Sequence, residues 1–398
     1  MDVLGADSSG LFTTPTDQST LMASYAQRTL IRALDLFSNK RYQEAVTVFK
    51  QAIGVAPRSS AAFNAYDYMA KSYLALKDDR HAIDAYQKSL RQFPDQSATY
   101  ISLGTIYYDA NNYAGAEAAY AKAVKLDPSA NNRYALGQAL LQLGRYDEAA
   151  QQFSQIKTQS LNRADQTNGE FGLAQVYAKQ GKYSDAIHAF KRVIDAQPDQ
   201  WYAYQDLGFA YADQGNFDAA KKMVAALTPK AADLAASLST YITSKMPPAM
   251  SAVLGTSTFL YTLGPGTKVA SLGSYLTDPG SQQTFTMEFQ FSKDMDAQSV
   301  ENVNNWSISR SLDTGKADGY NFSLAIPSTE VSLPKNPSSV SYDAEKGIAK
   351  VYFSIQQNAA GNGTIDPFHV KFKFQGVDSN GLAMNSQADE YTGFSDFA

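Results

Sequence analysis

The sequence predicts a two-part chain: an all-α superhelical solenoid of helical hairpins followed by an all-β sandwich. Three observations carry that reading. Prolines, small residues and aromatics recur with a period of 34 residues over roughly the first 230 positions. The pattern breaks at Met246-Pro247-Pro248, which cannot continue a helix. Beyond that break, short stretches alternate apolar and polar residues with a period of two, as half-buried strands do.

Residues 1–25 are rich in Ser, Thr and Asp and are expected to form a polar N-terminal tail, either ordered by a neighbouring subunit or disordered. Residues 26–230 divide into six hairpins, regular in the middle and weaker outside. In the third, the anchors are Tyr100, Leu103, Gly104, Tyr107, Tyr113, Ala116, Tyr120, Ala123 and Pro128. The second carries Tyr66, Met69, Ala70, Tyr73, Ala82, Tyr86, Ser89 and Pro94, and the fifth runs from Leu173 to Pro198 in the same register. The pairs Gly104 and Ala116, Gly137 and Ala149, and Gly208 and Ala220 are small where two helices of a hairpin should touch. Gly-Arg-Tyr at 144–146, Gly-Lys-Tyr at 181–183 and Gly-Asn-Phe at 215–217 are predicted turns, since glycine accepts the left-handed conformation that ends a helix. The prolines stop each second helix.

The first hairpin is expected to start near Ala26. The fourth lacks its final proline, and Lys157 to Gln166 reads as a short insertion. The sixth has Val224 where an aromatic is usual, and residues 231–245 read as a capping helix over the last apolar face. With these anchors and this period, the helical half resembles the tetratricopeptide repeat family.

Residues 246–282 are expected to be a linker with first strands, and residues 283–398 a sandwich with a C-terminal tail. Thr284 to Phe291 places Phe285, Met287, Phe289 and Phe291 on one face. Phe368 to Gln375 is expected to turn Phe368, Val370, Phe372 and Phe374 inward and His369, Lys371 and Lys373 to water. Trp306 to Ser309, Asn321 to Ile326 and Ile348 to Ile355 are the further predicted strands. Phe289-Gln-Phe-Ser-Lys-Asp-Met-Asp296, Asn304-Asn-Trp-Ser-Ile308, and the stretch from Val370 to Met384 resemble the opening and closing strands of bacterial surface-type Ig-like domains. The segment Arg310 to Ser339 and the loop Asn358 to Gly363 depart from that family as insertions. The resemblance implies adhesion or spacing, not catalysis.

Composition narrows the function. The net charge is -5, 18% of residues are charged, and no basic run tracks a phosphate backbone, so nucleic acid is not an expected partner. Cysteine is absent, which excludes disulfides, thiolate metal sites and Cys nucleophiles. No segment is apolar enough to span a membrane, and no signal peptide is visible. For a self-assembling surface appendage, the missing signal peptide would point to a leader-independent export route.

His81, His188 and His369 are scattered, and the first two are expected on the surface. Gly264-Pro-Gly-Thr-Lys268 resembles a phosphate loop but lacks the Walker spacing, and a proline turn accounts for it. Asp294 with Asp296, and Asp378 with Asn380, are pairs suited to turns more than to a calcium cage. The sequons at Asn305, Asn321 and Asn362 would matter only in a glycosylating host. No catalytic residue, cofactor site or metal site is therefore assigned.

The remaining candidate surface follows from the repeat resemblance, which implies that the first helix of each hairpin lines a concave groove. The matching positions are Asn64, Lys71, Ile101, Tyr108, Tyr134, Gln138, Phe171, Gln175, Tyr202 and Phe209. Aromatics and amides with few charges suit an extended or helical protein segment. Some of these aromatics could instead pack within the array. The Lys/Asn/Arg set with which some relatives clamp an acidic chain end is missing. The expected function is a non-enzymatic scaffold for a protein partner at the bacterial cell surface or outside the cell, with the periplasm as the alternative location. The competing reading is a self-assembling subunit of a filament or appendage, bound to copies of itself as a homo-oligomer.

Overall fold

Each repeat folds as two helices joined by one tight turn, because every turn carries a residue that can adopt positive φ. The hairpins are α1 (Pro15–Ser38) with α2 (Tyr42–Val55), α3 (Ser60–Ala75) with α4 (Asp79–Gln92), and α5 (Ser97–Asp109) with α6 (Tyr113–Leu126). They continue as α7 (Ala130–Gln142) with α8 (Tyr146–Gln159), α9 (Arg163–Lys179) with α10 (Tyr183–Ala196), and α11 (Trp201–Asp213) with α12 (Phe217–Leu227). A last helix, α13 (Ala232–Lys245), follows. The computed structural model describes residues 15–253, 255–312 and 319–393. The chain divides into two units, Met1–Ser239 and Thr240–Ala398.

The six turns are built alike. Gly144 (φ 73°), Gly181 (φ 74°) and Gly215 (φ 85°) take the left-handed conformation, as expected from the glycine triplets. Lys40, Lys77 and Asn111 hold the same position with φ between 58° and 62°. In each case two amides fold back onto the preceding helix, as when Gly144 donates to the Leu141 carbonyl (3.1 Å) and Arg145 to that of Leu140 (2.9 Å). At the far ends, α2, α4, α6 and α10 stop two residues short of Pro57, Pro94, Pro128 and Pro198.

Two boundaries differ from the expectation. The first helix begins at Pro15, so residues 15–25 are helical and not a tail, and residues 1–14 lie outside the described residues. The apolar spacing Ala26, Leu30, Ala33, with each side chain buried, carries the helix through Ala26 without a boundary there. Lys157 to Gln166 is not an inserted loop, because α8 and α9 absorb it and leave three residues between them. Asn162 caps α9 by accepting from the Ala164 amide.

The second unit is β-rich. Its strands are β1 (Met250–Val253), β2 (Thr267–Lys268), β3 (Gln282–Phe291), β4 (Trp306–Arg310), β5 (Ser339–Asp343), β6 (Ile348–Gln356), β7 (Thr364–Ile365), β8 (Val370–Phe374) and β9 (Glu390–Tyr391), with one short helix, α14 (Ala297–Glu301). Antiparallel pairing gives a four-stranded sheet in the order β1-β3-β6-β5, a three-stranded sheet β4-β8-β9, and the pair β2-β7. Residues 246–282 supply first strands, and β1 pairs with β3 in the register Met250↔Phe291. Phe285, Met287, Phe289 and Phe291 are all buried, as the alternation requires. Phe289 of this row and Phe353 of β6 meet the other sheet through Phe372, at 5.6 Å and 5.2 Å.

Two expectations for this unit are corrected. Asn321 to Ile326 forms no strand; Tyr320–Ser323 is a short helical turn with Asn321 and Phe322 at positive φ. His369 does not face water. It is fully buried, closes the turn Pro367–His369, and pairs through Nδ1 with Asp366 at 2.7 Å. Asp366 also accepts from the Asn321 amide (2.7 Å), so one carboxylate ties the two turns together. Residues 313–318, part of the predicted insertion, and 394–398, the end of the expected C-terminal tail, lie outside the described residues.

Candidate functional site

The first helices of successive hairpins approach one another more closely than the second helices do, so they line the inner side of the array. Their inward residues form a polar ladder. On α7, Gln138 donates through Nε2 to Gln175 Oε1 on α9 at 2.8 Å. Gln175 in turn donates to Asp206 Oδ2 on α11 at 2.9 Å. Tyr134 completes the row, its hydroxyl set toward the Gln138 amide and its ring 5.5 Å from that of Phe153. Gln138, Gln175 and Asp206, one from each of three helices, are hydrogen-bonded in line with Tyr134 beside them, and all four are partly buried.

The electrostatics follow from that partial burial. Desolvation pushes the Tyr134 phenol up to about 12, so it stays a neutral donor. Desolvation also pushes the Asp206 carboxyl up to about 6, although the Gln175 hydrogen bond and the Lys179 charge both pull it down. Among the described residues Asp206 makes no ion pair, and its Oδ1 accepts no hydrogen bond.

The ten predicted groove residues do not behave as one surface. Tyr134, Gln138 and Gln175 are brought together in the ladder. Asn64 and Lys71 are exposed on α3, where Lys71 pairs with Asp67 at 2.8 Å and covers the Tyr68 ring. Ile101 and Tyr108 are half-buried on α5, with the Tyr108 ring edge-on to Tyr113 at 5.3 Å. Tyr202 is 62% exposed, and Phe209 is half-buried. Phe171 is the exception. It is buried in the core, edge-on to Phe190 at 5.8 Å, and presents no surface to a ligand.

Asp206 is the residue that the repeat pattern passed over. Its only sequence signal is that it is the sole charge in the stretch Trp201 to Ala212. In the β unit the paired residues serve turns: Asp296 caps α14 through the Ser299 amide, while Asp378 accepts from the Asn380 and Leu382 amides and pairs with Lys293 at 2.6 Å. Among the described residues no three His, Asp or Glu side chains converge as a metal site, and no helix is long and apolar enough to cross a membrane.

Family profiles described as tetratricopeptide repeat match residues 32–97, 68–131, 101–164 and 177–240. The human protein O-mannosyl-transferase TMTC2 is 34% identical over 88 residues, 22% of this chain and 10% of that protein. Anaphase-promoting complex subunit 6 of Arabidopsis thaliana is 26% identical over 181 residues, 45% of this chain and 33% of that protein. The matched segments thus span no more than a third of the length of these curated relatives. A crystal structure of a tetratricopeptide repeat protein from Parabacteroides merdae aligns with a TM-score of 0.49 at 16% identity, covering 55% of this chain and 88% of that one. Repeats of this family act as protein-interaction scaffolds and peptide binders, and are typically non-catalytic. The helical half of the chain, α1 to α12 with α13 behind them, is an array of tetratricopeptide repeats.

Proposed function

We propose that this protein is a non-enzymatic scaffold that holds a polypeptide segment along the inner face of its repeats. The observation that carries the reading is the ladder Tyr134, Gln138, Gln175 and Asp206. Three successive first helices present pre-aligned polar groups that are neither solvated like a free surface nor closed like a core. An amide row of this kind can match the donors and acceptors of a bound backbone without demanding a charged chain end. The β unit, with its resemblance to bacterial surface-type Ig-like domains, would space or dock the array at the cell surface. The cysteine-free composition suits an extracellular location, with the periplasm as alternative.

The test is the full chain, fluorescently labelled, on an array of immobilised random 12-residue peptides. The double variant Gln138→Ala, Gln175→Ala should lose about tenfold in retention of the peptides that the native protein selects, while its circular dichroism stays unchanged. Equal retention of the same peptides by a folded variant would overturn the groove assignment.

A second reading, self-assembly, is favoured by one feature. α1 leaves Leu21 (62%), Met22 (42%), Tyr25 (59%) and Ile31 (58%) exposed at one end of the array, whereas α13 covers the other end. Light scattering after size exclusion would show a mass that rises with concentration and returns to the monomer in Leu21→Asp, Tyr25→Asp. A monomer of the native chain at all concentrations would rule assembly out.

A further inference from the structure

The ladder ends on a carboxylate that the fold leaves unfinished. Asp206 spends Oδ2 on Gln175 and leaves Oδ1 without a hydrogen bond among the described residues. Partial burial strips water from it, and a desolvated carboxylate is unfavourable unless a cation or several donors compensate. The protein supplies one nearby positive charge, Lys179, but that side chain is exposed and forms no ion pair among the described residues. The other charge on α11, Asp213 two turns further on, is also negative, so no cation of α11 offsets Asp206. Beside the ladder lies the partly buried ring of Tyr134, a flat surface against which an aliphatic stem can lie.

We propose that the bound segment carries a lysine or arginine whose cationic head meets Asp206 while the Gln138–Gln175 amides hold its backbone. This specifies the partner's chemistry and rests on the groove reading above. Charge complementarity makes the commitment: an acidic segment would face an unpaired carboxylate in a desolvated site, and an uncharged one would leave Oδ1 unmet.

The same peptide array separates the inference from the reading beneath it. Peptides are printed in matched sets that differ only by Lys, Gln or Glu at one central position. The full-length native protein should retain Lys over Gln members by about tenfold, the worth of one charge-assisted hydrogen bond. Asp206→Asn should bring that ratio close to one while still retaining the Gln members, and circular dichroism checks its fold. Lys179→Met should keep or raise the preference, because it removes the competing cation. Retention without a Lys preference, or a preference unchanged in Asp206→Asn, overturns this inference alone. If no peptide is retained by the native protein, the groove reading fails with it.

Discussion

At the scale of single residues, Asp206 sets a pH dependence whose sign can be worked out. Its carboxyl titrates at about 6 in the folded chain, against 3.8 as its ordinary value, because desolvation disfavours the charged form. The folded state therefore resists ionisation that the unfolded chain permits, and this group's contribution to stability falls as pH rises from about 4 to 6. Asp206→Asn should gain about 1–2 kcal/mol on the native protein between pH 4 and pH 7, since the carboxyl keeps part of its water. Urea denaturation of both proteins at the two pH values measures the difference. Lys77 offers a second test, since its φ of 62° costs a β-carbon-bearing residue energy that glycine avoids. Lys77→Gly should stabilise the helical unit by about 0.5–1 kcal/mol, and a loss of stability would show that the Lys77 side chain matters more than its backbone.

At the scale of elements, the small residues of the first helices are explained by rings. A β-carbon on Gly137 would lie 2.6 Å from the Phe153 ring, and one on Gly172 would lie 2.3 Å from the same ring. Phe153 on α8 is thus wedged between two first helices, α7 and α9, and joins one hairpin to the next. On α11 the role passes to the cap: a β-carbon on Gly208 would strike Leu238 of α13 at 2.3 Å, in a hairpin where Val224 stands in place of an aromatic. Gly172→Val should destabilise the array by about 2–4 kcal/mol, because fully buried Phe153 has no alternative space. Thermal denaturation followed by circular dichroism at 222 nm reads the loss. An unchanged midpoint would mean that the ring can move aside.

At the scale of the whole molecule, two units with separate cores should melt separately. The aromatic core of the β unit around Phe289, Phe353 and Phe372 shares no residue with the clusters that run through the repeats. Calorimetry should resolve two transitions. Lys293→Met, which leaves buried Asp378 without its partner, should lower only the one belonging to the β unit, by about 3 kcal/mol. A single transition that shifts as one would show the units to be energetically coupled.

The sequence by itself determined the repeat array, because its signals are local. The 34-residue spacing, Gly144, Gly181 and Gly215 at the turns, and prolines two residues beyond helix ends each act within one hairpin. The alternation along β3 was legible for the same reason. Tertiary structure decided which inward residues meet one another and which are buried. Phe171 and Tyr134 hold equivalent positions in successive hairpins, yet only Tyr134 reaches the ladder while Phe171 is buried against Phe190. The bonds from Gln138 to Gln175 and on to Asp206 span 37 and 31 residues, and depend on how neighbouring helices cross. His369 was misjudged because the turn Pro367–His369, where it pairs with Asp366, breaks the alternation expected along that stretch. A helix records its own period in its residues, but the side chain that meets it from the next helix is fixed only when both are packed.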